Sequence, residues 1–179
     1  MVAPTPVEVH SEEPAALVRA AQRGDRAAFG ILYERYARMV HGILLARVSY
    51  SEAEDLVQEV FLRAMQQLHS LRDANAFGGW LVKIARHSAA DLRRKFRPMF
   101  ELRDRGGGVW PDGQALEVLT ILQRLPKAYR ETLILRLVEG MTGPEIATRT
   151  GLTPESVRVN LCRGMKLIRE ALGRESRHE

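Results

Sequence analysis

The chain has 179 residues, enough for one ordinary domain or two small ones. Its hydrophobic share of 45% is normal for a globular protein, and aromatics at 6% leave a composition dominated by helix-forming residues. A formal charge of +5 suits a polyanionic partner without specifying one. Cys162 is the single cysteine, which excludes an internal disulfide framework and a cysteine-rich metal site. The five histidines (His10, His41, His69, His87 and His178) lack ligand spacing, so no metal, cofactor or catalytic cluster is expected. Nothing near Met1 pairs a basic region with an apolar run, and no stretch approaches ~20 apolar residues. The expectation is a cytoplasmic protein with no membrane insertion of this chain.

Residues 1–13, with Pro4, Pro6, Glu8, Glu12 and Glu13, show no periodicity and read as a disordered lead-in. From Pro14 the pattern is helical. Asp25 is an N-cap candidate, and Phe29, Leu32, Tyr36, Val40, Ile43 and Leu44 follow on one face. Ser51 and Glu54 have the spacing of a capping box for a third helix. Its expected interior is Ala53, Leu56, Val57, Val60, Phe61, Ala64, Met65 and Leu68. A turn over residues 69–75 leads to a fourth helix with Phe77, Trp80, Leu81, Ile84, Ala85 and Leu92 inside.

Between Pro98 and Gly113 the pattern stops at Gly106, Gly107, Gly108 and Pro111, the composition of a linker. Helical stretches follow over residues 114–125, 127–139, 143–150 and 154–172, and no strand signal appears. The expected fold is all-α: two small helical bundles joined by a flexible linker. The domains are 14–97 and 114–173, with a tail at 174–179.

The last two stretches carry the most specific local chemistry. Thr142 and Glu145 form a capping box, Gly151 ends that short helix, and Thr153-Pro154 opens a long one. Val157, Leu161, Gly164, Ile168 and Leu172 make the buried stripe of the long helix. A short helix, a glycine-containing turn and a long helix make a helix-turn-helix, whose second helix enters the major groove. Its outward face bears Glu155, Ser156, Arg158, Val159, Cys162, Arg163, Lys166 and Arg169, with Asn160 at the margin. Arginine can read guanine edges and asparagine adenine edges, while other basic groups meet phosphates. The plainer alternative is a solvated basic face on an ordinary bundle helix.

Two other segments stand out. Residues 83–97 hold Lys83, Arg86, Arg93, Arg94, Lys95 and Arg97 against one acid, Asp91, with Trp80 and Phe96 beside the run. Cations among aromatics suit opened DNA, whose bases stack while its phosphates are neutralised; the alternative is a solvated helix end complementing the dipole. The third helix has the opposite sign at its start, with Glu52, Glu54, Asp55 and Glu59. Such acids favour a helix N-terminus, and they also repel DNA, so a basic protein partner is the natural neighbour.

The segments together resemble an extracytoplasmic-function (ECF) sigma factor of bacterial RNA polymerase from Ala15 to Leu172. In the first domain the likeness rests on residues 53–61 (AEDLVQEVF), 77–86 (FGGWLVKIAR) and 91–94 (DLRR). In the second it rests on Leu125-Pro126, Tyr129-Arg130-Glu131, residues 138–142 (VEGMT), Glu145-Ile146-Ala147 and the final helix. The resemblance implies that the acidic helix docks on core RNA polymerase through Asp55, Gln58 and Glu59. It implies that Asp73, Asn75, Trp80, Lys83, Arg86, His87, Arg93 and Arg94 capture the −10 promoter element as its strands part. Glu155, Ser156, Arg158, Val159, Cys162, Arg163 and Lys166 would read the −35 element in the duplex. It further implies an anti-sigma factor as a partner and no enzymatic activity. The competing readings are a polymerase-independent helix-turn-helix regulator and a small helical nuclease.

Overall fold

The computed structural model describes residues 13–95 and 121–175, and every described element is helical. The sequence readings for residues 1–12, the linker 98–113, residues 114–120 and the tail beyond Glu175 lie outside the described residues. The chain order is α1 (Pro14–Gln22), α2 (Arg26–Leu45), α3 (Tyr50–Gln67), α4 (Phe77–Lys95), α5 (Lys127–Leu137), α6 (Gly143–Thr150) and α7 (Pro154–Glu175). Two single 3-10 turns, Leu68–Ser70 and Ala74–Ala76, link α3 to α4, and residues 121–124 are helical ahead of α5.

The first bundle is built on α2, which packs against α1, α3 and α4. Asp25 caps it as its position suggests, accepting hydrogen bonds from the Ala27 and Ala28 amides at 2.9 and 3.1 Å. Leu17, Leu32, Met39, Ile43, Leu44, Phe77 and Leu81 are fully buried here, each a burial of ~1.5–3 kcal/mol. The start of α3 differs from the expected register. Ser49, not Ser51, is the N-cap, and Glu52 closes the box by accepting from the Ser49 amide at 2.9 Å and its hydroxyl at 2.6 Å. Both serines have an acid three residues on. The choice falls to Ser49 because Tyr50 is already helical, so Ser51 lies inside the first turn.

The second bundle joins α5, α6 and α7. Thr142 and Glu145 form the expected capping box, and Gly151 ends α6 at φ 74°, a left-handed conformation that glycine adopts without a Cβ penalty. Gly164 lets α7 meet α5, since a Cβ there would lie 2.5 Å from the Leu133 side chain.

The bundles pack on each other: α2 packs against α5 and α6, and α4 against α6. Two glycines permit it. A Cβ on Gly42 would lie 2.8 Å from Leu135, and one on Gly78 would lie 2.1 Å from the Arg149 carbonyl oxygen. Arg149 Nη1 donates to the Arg35 carbonyl at 2.9 Å, and Arg130 Nη1 donates to the Ala46 carbonyl at 3.0 Å. Two buried carboxylates complete the seam. Glu131 receives Arg47 at 2.8 Å and Arg86 at 2.9 Å, and Glu139 receives His41 Nδ1 at 2.7 Å while Arg38 reaches its backbone carbonyl.

Candidate nucleic-acid interface

On α3, Asp55, Gln58 and Glu59 are exposed, as expected of a docking face. Glu59 pairs with Arg63 on the next turn, and Glu52 is committed to the cap. The Glu54 carboxylate accepts a hydrogen bond from Tyr50, which raises the pKa of the phenol, with burial and the Glu54 and Glu139 charges adding to it. Two residues missed by the sequence reading extend this face. Leu62 is 58% exposed and Met65 47%, although Met65 has the spacing of an interior residue. Val60 and Phe61 take the core positions instead, so the third residue of the apolar run points outward. The face is therefore acidic at its start and apolar further along. An outward leucine directly after a buried Val-Phe pair is the signal that was available.

The loop before α4 is held from behind by α1. Gln22 Nε2 donates to the carbonyls of Leu68 (3.0 Å), which also accepts from the Leu71 amide, and Leu71 (2.7 Å), tying the turn to α1. Asp73 and Asn75 are exposed and brought together there: Asp73 Oδ1 accepts from the Asn75 amide at 2.9 Å and its Nδ2 at 3.1 Å. Asp73 is thus the cap of the 3-10 turn that presents Asn75.

Along α4 the candidate residues divide between two neighbouring faces. Trp80, Lys83, His87 and Arg94 follow one another at three-, four- and seven-residue steps and lie on one side. Trp80 is half-buried with its ring 5.9 Å from that of Phe77, which in turn packs edge-on against Tyr36 at 5.1 Å. Burial raises the pKa of the Tyr36 phenol, opposed by the Arg149 and Arg35 charges. Lys83 and His87 are exposed, and Arg94 is paired with Asp91 at 2.5 Å. Arg86 and Arg93 turn to the other side, toward the second bundle, where Arg86 meets Glu131. Of the residues expected at the −10 element, Arg86 and Arg93 lie on a different face of α4 from Trp80, Lys83, His87 and Arg94.

On α7, Glu155, Ser156, Arg158, Cys162, Arg163 and Lys166 are exposed, and Val159 is half-buried among them. Thr153 is the N-cap, its hydroxyl accepting from the Ser156 amide at 3.1 Å and donating to the Ser156 hydroxyl at 2.7 Å. Arg158 lies 3.4 Å from Glu155 and Lys166 lies 4.0 Å from Glu170, spacings that leave both cations open to a stronger anionic partner. Asn160 belongs to the other side: its Nδ2 donates to Thr132 on α5 at 3.3 Å. Leu161, expected in the core, is only half-buried. No cluster of three or more metal-ligating side chains occurs among the described residues, and no described helix is long and apolar enough to cross a membrane.

A helix-turn-helix with an outward basic helix and a second, acid-then-basic helix pair in the other bundle is a combination that known proteins share. The Sigma-70 region 2 family matches residues 32–97, and Sigma-70 region 4 matches residues 115–168. The chain is 31% identical to the RNA polymerase sigma factor CarQ of Myxococcus xanthus, over 84% of this chain and 92% of that protein. It belongs to the ECF family of RNA polymerase sigma factors.

A second relative, the ECF RNA polymerase sigma-E factor of Haemophilus influenzae, is 30% identical over 86% of this chain and 92% of its own length. Among solved structures, CnrH in complex with the cytosolic domain of CnrY matches 89% of this chain and 97% of that one, with a TM-score of 0.62 and 25% identity. As an ECF sigma factor the protein works with core RNA polymerase at promoter DNA to initiate transcription. With both sigma regions on one chain, the polymerase-independent regulator is left without support.

Proposed function

We propose a division of labour among the exposed faces of this sigma factor. The α3 face, through Asp55, Gln58 and Glu59 and now Leu62, docks on core polymerase. The 68–76 loop with Asp73 and Asn75, and the α4 face with Trp80, Lys83, His87 and Arg94, take the −10 element as it opens. Arg86 and Arg93 join that surface only once their face of α4 parts from the second bundle. The α7 face with Glu155, Ser156, Arg158, Val159, Cys162, Arg163 and Lys166 reads the −35 duplex.

The observation that carries this reading is the neighbouring placement of two unlike faces in one bundle. The acidic-apolar face of α3 suits a protein and repels DNA; the cationic, Trp-bearing face of α4 suits DNA and not a basic protein surface. Extruding a base costs a few kcal/mol of stacking, and a half-buried tryptophan packed beside Phe77 is a platform able to offset part of it. Region 4 on the same polymerase makes the second contact effectively intramolecular. In this reading the protein is a cytoplasmic binding factor and not an enzyme. An inhibitory protein of the anti-sigma kind belongs to the same reading; the sigma factor RpoE of Bartonella quintana, similar in fold, is solved in complex with the anti-sigma factor NepR.

Run-off transcription with purified core polymerase over a promoter library tests it. Discrete transcripts from promoters sharing −10 and −35 elements are expected only when this chain and core enzyme are both present. Transcripts that are indifferent to either element would overturn the assignment of the faces.

A further inference from the structure

The seam between the two bundles forms a half-open cavity of about 270 Å³. Its lining has five cationic side chains: Arg47 after α2, Arg86 and Arg93 on α4, and Lys127 and Arg130 on α5. Among the described residues the rest of the wall is alanine, and no carboxylate lines it. Glu131 answers two of these charges, pairing with Arg47 and Arg86. Arg130 spends two of its N–H groups on the Ala46 and Leu125 carbonyls, and its buried Nε has no hydrogen-bond partner among the described residues. Burial, then the charges of Arg47 and Arg93, lower the pKa of Arg130, yet a guanidinium stays protonated in a protein. Among the described residues, Arg93, Lys127 and Arg130 are left in excess of Glu131.

Size and lining limit what such a space accepts. At ~30 Å³ per water the cavity has room for about nine waters, just below the ~300 Å³ at which sites for drug-sized ligands begin. Among the described residues it has no aromatic wall on which a nucleobase could stack. We propose that this cavity is a binding site for a compact multivalent oxyanion of the pyrophosphate class, held by cations from both sigma regions. Arg47, Arg86 and Arg93 come from the region 2 side and Lys127 and Arg130 from the region 4 side. The site exists only while the two bundles are packed together, so the anion stabilises the packed arrangement over the separated one. The inference rests on the packing and the cavity, and does not depend on which residues meet promoter DNA.

The test is calorimetric titration of the full chain with sodium pyrophosphate, with melting curves in parallel, at ionic strength held constant with potassium chloride. Saturable binding at one site, with a rise in Tm that chloride does not reproduce, is expected. Arg93→Gln and Lys127→Gln, exposed cations on opposite sides of the seam, should each weaken binding by about tenfold or more, as loss of a charge-assisted contact to a phosphate oxygen requires. Arg19→Gln removes an exposed cation on α1 and should leave it unchanged. A non-saturable response matched by chloride, or equal weakening by all three substitutions, overturns the proposal. Citrate, a compact polyanion without phosphorus, separates the sources: binding as tight as pyrophosphate would replace phosphate selectivity with recognition of carboxylates and overturn the stated class.

Discussion

Arg86 Nη2 lies 2.9 Å from Glu131 Oε1, so a side chain read as a −10 contact is held by a carboxylate of the −35 region. Arg47 meets the other oxygen at 2.8 Å, and the Glu131 side chain is only 8% exposed. A carboxylate taken this far out of water needs both partners, because desolvation would otherwise exceed what the charge gains. The two sigma regions are therefore joined by electrostatics as well as by the apolar contact of α2 and α5. Arg86 spends one of its five N–H donors on Glu131, and a DNA phosphate would compete with that carboxylate for the same charge.

Glu131→Gln should loosen this packing. The neutral amide leaves Arg47 and Arg86 facing each other, with Arg130 nearby, and no counter-charge. Breaking a buried pair costs ~3–5 kcal/mol, and the cost here falls toward ~2–4 because Arg86 is 43% exposed. The expected readout is a longer distance between fluorophores placed on α1 and α7, with helical content kept. An unchanged distance would show that the apolar contacts alone hold the seam.

Gly78→Ala attacks the same seam by shape. The added Cβ would meet the Arg149 carbonyl oxygen at 2.1 Å, and a backbone carbonyl cannot swing aside as a side chain can. The bundles should separate while each keeps its fold, since alanine is the better helix former. Gly30→Ala is the matched control: it meets nothing within 4 Å and should stabilise α2 by ~0.5–1 kcal/mol. Small-angle scattering would show expansion for the first variant alone.

Much of this was legible in the sequence because it is local. The Asp25 cap, the Thr142–Glu145 box and the Gly151 terminus are decided by residues within one turn of each other, and periodicity places Leu56, Val60 and Phe61 inside. Met65 was misplaced because a helical stripe widens or narrows according to what packs on it, which spacing does not encode. The seam was illegible for a related reason. Glu131 and Glu139 look like ordinary helix acids until Arg47, Arg86 and His41, some 45 to 98 positions away, arrive around them. The division of the α4 cations between two faces follows from helical spacing; what spacing could not show is that the Arg86 face meets the second bundle.

The capping box of α6 has an acid-sensitive part. Hydrogen bonds from the Thr142 backbone amide and then its hydroxyl hold Glu145 below its ordinary pKa. A carboxylate depressed in the folded state contributes stability above its unfolded value of ~4.3, and loses it as pH falls through the folded value. The deficit of Glu145→Gln relative to the parent should thus be present at neutral pH and shrink below about pH 4. Thr142→Ala should cost ~1 kcal/mol at neutral pH, the usual loss of a threonine cap. Melting curves at the two pH values check both; a deficit that does not vary with pH would place the contribution of Glu145 in packing.

Asp55→Arg should abolish association with core polymerase and leave the fold intact, because Asp55 is exposed and α3 does not use it in its cap. Leu62→Ser tests the apolar half of the face: little effect on Tm is expected from a side chain 58% exposed, but a weaker complex is. Co-purification of either variant with core enzyme at the parent level would move the docking surface off α3.

Arg158 and Lys166 should fail in different ways on −35 DNA. Both are exposed cations on the outward face of α7, and Arg158 lies one turn from its start, where a recognition helix presents its residues to base edges. If Arg158 reads a base with its planar fork, Arg158→Ala should cost ~1–3 kcal/mol and relax preference at one position. Lys166 lies two turns further on and presents a point charge, so Lys166→Ala should weaken all sequences alike and reduce the salt slope by about one. Binding of reconstituted holoenzyme to −35 variants across a salt series separates the outcomes. A uniform, salt-dependent loss from Arg158→Ala would make it a phosphate contact and shift base reading to its neighbours on that face, Ser156 and Arg163 foremost.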